Sequence, residues 1–217
     1  MAHVDFIERV HTSTKRNYLE RVIEHDKAEC ATVAKQFGKD YWDGDRRYGY
    51  GGYSYDGRWR SVAENMVNHY GLTNNARILD VGCGKGFLAY EFTQVVPGVT
   101  VTGLDISQYA VDNAKDEIKE YLQVGNAISL PFEDGYFDFV VSVTTLHNLY
   151  NYELYQAVRE IQRVGKGSNK HIMIESYRNE QEKANLLYWQ LTCRSFYTPA
   201  EWEWFFDESG YSGDYSY

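Results

Sequence analysis

The stretch that decides the fold is LDVGCGKG, residues 79–86, in which an apolar run ends in three glycines spaced G-x-G-x-G. A strand that ends in such a turn and continues into a helix places small residues at the carboxyl edge of a sheet, where open α/β folds bind ligands. Glycine there allows positive φ, and the helix N-terminus that follows offers unpaired amides. The loop of Gly82, Gly84 and Gly86 therefore predicts a ligand site, although a tight turn without a ligand fits the same letters.

A second element of the predicted site is Asp105, which ends the strand-like run VTGLD 19 residues after Gly86. A carboxylate at the tip of the neighbouring strand can accept hydrogen bonds from both ribose hydroxyls of a nucleoside. Taken alone, Asp105 also fits a helix-capping role. The glycine spacing disfavours NAD without excluding it, because the dinucleotide fingerprint is G-x-G-x-x-G.

The order of motifs from Ala76 to Ser176 resembles that of the class I S-adenosylmethionine-dependent methyltransferases. The matching stretches are LDVGCGKG, then GLDIS at 103–107, GNAISLPFEDGYFDFVVS at 125–142 and LHNL at 146–149. The resemblance implies that S-adenosylmethionine is the cofactor.

The same resemblance implies roles for individual residues around the cofactor. Gly82, Gly84 and Gly86 would hold its methionine end, Asp80 its ammonium group, Asp105 its ribose, and Ile106 and Ala127 its adenine. Asn126 stands where the family commonly has an acid, and its amide oxygen can still accept a bond from the adenine amino group. Thr144 either lines the methionine pocket or finishes its strand.

From about Val62 onward, apolar runs of strand length alternate with amphipathic helices, which predicts a parallel sheet with helical crossovers. The predicted strands are 77–81, 100–105, 122–125, 137–143 and 171–176, and the predicted helices are 62–70, 87–95, 109–121, 152–164, 181–191 and 199–208. We expect an α/β, Rossmann-like, doubly wound and mostly parallel sheet flanked by helices. Such folds usually end in an antiparallel strand pair, and only 212–217 offers the start of one, so we expect that strand to be incomplete.

The N-terminal part has a different texture, and we predict two regions: residues 1–60, a helix and an aromatic lid, and residues 61–217, the methyltransferase domain. The helix would run from about Thr14 to Phe37, with Thr12, Ser13 or Thr14 as its N-cap and Gly38 as its stop. The segment 40–59, DYWDGDRRYGYGGYSYDGRW, fits neither helical nor strand periodicity and is predicted to be an ordered aromatic-rich loop.

This aromatic segment suits a lid over a polar or anionic acceptor, because rings stack on flat or sugar faces and arginine forks bind phosphate or carboxylate. The candidate substrate-binding residues are Tyr48, Tyr50, Tyr53, Tyr55 and Arg58. The alternative is that the tyrosines only seal the open edge of the sheet.

His147 follows the fourth predicted strand, at the point where the resemblance places the transferable methyl group. Histidine accepts a proton near neutrality, so His147 is the candidate base for an acceptor hydroxyl. The alternative is that it only packs in the loop. No group of His, Cys or acidic residues has metal-ligand spacing, which predicts methyl transfer without a metal.

Composition narrows the range of partners and compartments. With 22 basic and 31 acidic residues, the chain has a net charge of −9, which disfavours nucleic acid. Three scattered cysteines, and no apolar run of the ~18 residues that a membrane span needs, predict a soluble cytoplasmic protein without a membrane anchor. An aromatic tail and a bare sheet edge make a homodimer an expectation.

We therefore expect an enzyme that methylates a small polar metabolite, with a sugar or a nucleotide-linked sugar as the preferred acceptor. A protein that binds S-adenosylmethionine or S-adenosylhomocysteine without catalysis is the alternative. An NAD-dependent oxidoreductase rests only on the glycine loop.

Overall fold

The computed structural model describes residues 1–7 and 20–217, and a parallel six-stranded sheet forms its centre. The strands are β1 Arg77–Val81, β2 Thr100–Asp105, β3 Leu122–Val124, β4 Phe139–Val143, β5 Lys170–Met173 and β6 Asp214–Ser216. Their spatial order is β3-β2-β1-β4-β5-β6, and every neighbouring pair is parallel. Strands β2 and β3 lie on one side of β1, and β4, β5 and β6 lie on the other. The order of strands therefore changes between β1 and β4, which opens a crevice at their carboxyl ends. The predicted Rossmann-like fold class is confirmed.

The helices in the described part of the chain lie mostly between the strands. They are α1 Glu20–Glu24, α2 Lys27–Ala34, α3 Lys39–Asp43, α4 Arg60–Tyr70, α5 Phe87–Val95, α6 Gln108–Asp112, α7 Asp116–Lys119, α8 Asn151–Val164, α9 Glu180–Trp189 and α10 Pro199–Glu208. Two short 3-10 turns occur at Arg46–Tyr48 and Leu146–Asn148. No helix among these residues is both long and apolar enough to cross a bilayer.

The last strand was expected to be antiparallel and incomplete, and this expectation is wrong. Strand β6 runs parallel to β5, with Tyr215 opposite Ile172. A helical crossover produces this direction, because α10 carries the chain back along one face of the sheet before β6 begins. On its outer side β6 also meets the N-terminal segment, where the Val4 amide donates to the Tyr215 carbonyl at 2.9 Å.

From Glu20 onward, the predicted N-terminal helix is divided into separate helices. Its proposed caps, Thr12, Ser13 and Thr14, lie outside the described residues. Beyond them, α1 and α2 are separate, because the Asp26 carboxylate accepts from the amides of Ala28 and Glu29 at 2.8 and 3.0 Å and starts a new helix. Gly38, predicted as the stop, instead precedes α3. The division at residue 60 stays a prediction.

Two further elements differ from their predicted forms. The predicted helix 109–121 is two short helices, because Lys115 takes an extended conformation at φ −61° and ψ 130° between α6 and α7. The predicted loop 40–59 contains the end of α3 and the first 3-10 turn. By contrast, α10 begins as predicted, since Thr198 accepts from the Glu201 amide while the Glu201 carboxylate accepts from the Thr198 amide.

In the described part of the chain, the core around the sheet consists of two large apolar clusters, one on each face. Neighbouring residues of β1 alternate between them, since Leu79 packs with Trp202 of α10 and Ile78 packs with Met66 of α4. Trp202 is fully buried, whereas Trp204 on the same helix is 64% exposed. Both faces of the sheet are thus covered, as a parallel sheet requires.

Candidate functional site

A cavity of about 690 Å³ lies at the carboxyl ends of the central strands. Its volume is in the range of about 300–1,000 Å³ that small-molecule sites occupy. One side is formed by the ends of β1, β2 and β4 with the glycine loop. The opposite side is formed by residues 37–59, which we call the cap, and by residues 189–192.

The glycine loop turns sharply enough to bring its backbone into the cavity. Gly82 and Gly84 have φ values of 81° and 54°, which favour glycine, and both line the cavity. A Cβ on Gly84 would lie 2.9 Å from the Trp42 ring of the cap. Gly86 plays a different part, because it does not line the cavity and a Cβ there would meet Ile118 and Leu122. It shapes the turn from behind.

Two buried carboxylates, Asp80 and Asp105, face the cavity from the ends of β1 and β2. Asp105 accepts hydrogen bonds from the Gly84 amide at 2.7 Å and the Ser107 amide at 2.8 Å. Burial raises its pKa, and burial together with the neighbouring Asp105 raises the pKa of Asp80 to about 7. Within residues 1–7 and 20–217, neither carboxylate forms an ion pair with a cationic side chain. Two buried carboxylates without a cationic partner favour a ligand that carries positive charge.

The other predicted cofactor residues also line the cavity. Ile106 is 53% exposed beside Asp105, and Asn126 and Ala127 follow β3. The Asn126 amide oxygen accepts from the Ile128 amide at 3.1 Å, which leaves one lone pair for a ligand. Thr144 has a φ of 52°, a left-handed conformation that β-branched residues rarely adopt, at the turn after β4. Strain of this kind concentrates at functional sites.

His147 lines the cavity but is almost fully buried. Burial lowers the pKa of its imidazole to about 3, so the ring is neutral near pH 7. Its Nδ1 accepts from the Glu175 amide at 3.2 Å, which places the single proton of the neutral ring on Nε2. These surroundings make His147 a weak base and a hydrogen-bond donor.

The cap brings most of the predicted substrate-binding residues to the cavity. The residues of this set that line the cavity are Tyr50, Tyr53, Tyr55 and Arg58. The aromatic rings of the cap pack against one another, and Trp42 stacks on Tyr50 with 5.2 Å between the ring centroids. Arg58 is held by Asp56, with Nε 2.7 Å from the carboxylate.

Tyr48, the other predicted substrate-binding residue, lies away from the cavity, and its role stays a prediction. Its ring does not line the cavity but packs against the small cluster of Cys30, Ala34 and Leu191, beneath the Arg47 guanidinium. Tyr48 ends the 3-10 turn Arg46–Tyr48, whereas Tyr50 lies two residues beyond the turn and lines the cavity.

Several cavity residues were not predicted from the sequence. Glu175, Trp42, Trp189 and Thr192 line the cavity, and Glu175 accepts from the Gln190 amide group at 3.0 Å. The signal for Glu175 was its place near the carboxyl end of the fifth predicted strand, 171–176, an edge already recognised as ligand-binding. Among the described residues, no group of three or more potential ligands is arranged to hold a metal ion.

Comparison with known proteins relates part of the chain to a family. Residues 79–173 match a family profile described as a methyltransferase domain. Over 128 residues the chain is 29% identical to the ubiquinone/menaquinone biosynthesis C-methyltransferase of Citrifermentans bemidjiense, covering 55% of this chain and 52% of that protein. Over 126 residues it is 34% identical to the demethylmenaquinone methyltransferase of Lactococcus lactis, covering 54% and 48%. The chain therefore spans about half the length of these curated relatives.

A solved structure of a SAM-dependent methyltransferase from Methanosarcina mazei superposes with a TM-score of 0.55 at 21% identity. The superposition covers 66% of this chain and 82% of the other. At that identity the likeness shows the fold.

Proposed function

We propose that this chain, whose residues 79–173 match a methyltransferase domain, is a class I S-adenosylmethionine-dependent methyltransferase that transfers a methyl group to a small molecule held under the cap. The observation that carries the proposal is that the glycine loop with its two buried carboxylates and the aromatic cap face one another across a single cavity. Both reactants would thus meet in one enclosed space, as in-line methyl transfer requires.

The residues present fit S-adenosylmethionine. The cofactor carries a positive sulfonium and a positive ammonium group, and Asp80 and Asp105 supply buried negative charge on its side of the cavity. When bound, it supplies a methyl group on a sulfonium that leaves without acid assistance. The backbone of Gly82 and Gly84, which lines the cavity, would allow its close approach, and the exposed face of Ile106 would pack on its adenine.

The chain's own residues would orient the acceptor and receive its proton. His147 has its proton on Nε2, so we propose that it donates a hydrogen bond to the acceptor atom instead of removing a proton. The proton that the acceptor loses would go to the Glu175 carboxylate, which lines the cavity beside His147. We propose that these steps need no metal ion.

For the acceptor, we propose a small polar metabolite with a ring, of the sugar or nucleotide-linked sugar type. The exposed residues of the cap that line the cavity include Arg46, Asp56 and Arg58, which suit hydroxyl or phosphate groups, while the rings of Tyr50 and Tyr53 suit a sugar face. A quinone-like ring is the second candidate, because two relatives are named as methyltransferases of quinone biosynthesis.

The test is S-adenosylhomocysteine formation from labelled cofactor with two acceptor panels, one of sugars and nucleotide-linked sugars and one of demethylated quinols. Turnover with a sugar and none with a quinol supports the proposed acceptor, and the reverse supports the second candidate. Glu175→Gln should lower kcat strongly, and His147→Gln should raise KM more than it lowers kcat. A protein that binds the cofactor but turns over neither panel is a binding protein, which contradicts the proposed reaction.

A further inference from the structure

Three donors converge on the carboxylate of Asp43 at the end of α3. Lys85 Nζ donates to Oδ1 and Oδ2 at 2.8 and 2.7 Å, the Tyr109 hydroxyl to Oδ2 at 2.9 Å, and the Tyr53 amide to Oδ1 at 3.1 Å. Lys85 also donates to the Tyr53 carbonyl at 2.9 Å. Lys85 belongs to the glycine loop and Tyr109 to α6, so this group, which we call the clasp, joins the cap to both elements that follow β1 and β2.

The clasp is more than an exposed surface ion pair. The Lys85 side chain is 8% exposed, and that of Asp43 is 28% exposed. Although burial opposes ionisation, the hydrogen bonds from Lys85, Tyr53 and Tyr109 lower the pKa of Asp43. Charged groups held in this way are bonded more strongly than neutral ones, and removing one partner leaves the other poorly compensated.

The clasp residues Asp43 and Lys85 do not line the cavity, but their sequence neighbours do. Trp42 precedes Asp43, and its ring lies against Gly84, the residue before Lys85. Trp42 Nε1 also donates to the Ser107 hydroxyl at 2.9 Å, and the Ser107 amide in turn donates to Asp105. One ion pair therefore lies behind the point where the wall of the cap meets the glycine loop.

We infer that Asp43 and Lys85 are positioning residues that hold the aromatic wall of the cap against the cofactor loop, so that cofactor binding depends on the cap. The inference rests on the proposed function only in taking the glycine loop to bind the cofactor. A ligand bound to the glycine loop would stabilise the cap in contact with that loop. The cap in this position would in turn stabilise the loop conformation that binds the ligand.

The first test measures S-adenosylhomocysteine binding by calorimetry in the absence of any acceptor. Lys85→Met and Asp43→Asn should each weaken binding about tenfold or more, as expected for loss of hydrogen bonds between charged groups. The double variant should be little weaker than either single one, because both remove the same interaction. Tyr109→Phe removes one hydroxyl from the clasp and should give a smaller loss, and it serves if the other variants do not fold.

The second test measures how fast a thiol reagent labels Cys83, which lines the cavity beneath the cap, without any cofactor. Lys85→Met should label several-fold faster than the wild type, and Cys83→Ala identifies the labelled site. Lys166→Met is the matched control. It breaks the ion pair between Lys166 Nζ and the Asp138 carboxylate, which are 2.6 Å apart, and neither residue lines the cavity. It should change neither readout.

A folded Lys85→Met variant that binds S-adenosylhomocysteine like the wild type and labels Cys83 at the wild-type rate would overturn the inference. If the wild type itself fails to bind S-adenosylhomocysteine, the proposed function fails instead. The labelling rates still test the clasp in that case, because they need no cofactor.

Discussion

Replacing Asp80 by Asn should make the unliganded protein more stable and its cofactor binding weaker. The Asp80 carboxyl is 3% exposed, and burial together with Asp105 raises its pKa from 3.8 to about 7. A group whose folded pKa is raised in this way contributes stability below its unfolded pKa and loses that contribution as pH rises through its folded pKa. A shift of this size corresponds to a penalty on the order of 4 kcal/mol for the ionised form above pH 7.

Urea unfolding of the unliganded proteins at several pH values from 4 to 8 measures this penalty. Asp80→Asn lacks the ionisation, but its amide still needs hydrogen-bond partners, so we expect it to regain only part, about 1–3 kcal/mol, at pH 8. At pH 4 the wild-type carboxyl is largely protonated, and the gain should vanish. Asp207→Asn on the exposed side of α10 is the control and should show no such trend.

Cofactor binding supplies the opposite half of the prediction. The wild type should bind S-adenosylmethionine more tightly as pH rises through 7, because only the ionised Asp80 attracts its ammonium group. Asp80→Asn should bind more weakly at pH 8 and show little of this dependence. A stability gain that is the same at pH 4 and pH 8, or undiminished binding by the Asn variant, would refute the reasoning.

Three further predictions concern the loop, the core and a second titrating group. Gly82→Ala should cost about 2 kcal/mol or more and abolish cofactor binding, because its φ is 81° and the new Cβ would collide with the Thr145 side chain; binding near the wild-type level in a thermal-shift assay would contradict this. Trp202→Ala should lower the free energy of unfolding by about 3–5 kcal/mol, since the ring is fully buried, and a loss below about 1 kcal/mol in urea would be inconsistent with that packing. Burial lowers the pKa of His171 from 6.5 to about 4, so the contribution of His171 to wild-type stability should be lost as pH drops from about 6.5 to about 4. His171→Gln should make the fall in stability shallower in acid titrations, and identical slopes for the two proteins would count against it.

The cofactor side of the site was predictable because its signals are local in sequence. Gly82, Gly84 and Asp105 lie at the carboxyl ends of two adjacent strands, and because the strands are parallel these ends share one edge of the sheet. Helix 109–121 was predicted as one element because Val111, Ala114 and Ile118 keep helical spacing and are buried together, yet the chain breaks at Lys115 between them. Periodicity predicts which residues are buried, but it does not predict that a single residue such as Lys115 is extended and divides the helix.

The cap side was less predictable because its residues meet only in three dimensions. Asp43 and Lys85 are 42 positions apart, and nothing in either segment indicates the other. The chemistry of His147 also depends on tertiary structure, because burial alone lowers its pKa to about 3 and changes it from a candidate base into a donor. Tyr48 and Tyr50 are equivalent as sequence letters, and only the folded cap places Tyr50 at the cavity and Tyr48 against Cys30, Ala34 and Leu191.

The cap and residues 189–192 both lie outside residues 79–173, the part that matches the methyltransferase family. The family profile therefore covers the glycine-loop side of the cavity and does not cover the cap. Names borrowed from relatives consequently inform the choice of methyl donor far better than the choice of what is methylated. Exchanging these two short segments between homologous chains, with the sheet left untouched, is the most direct way to transplant selectivity.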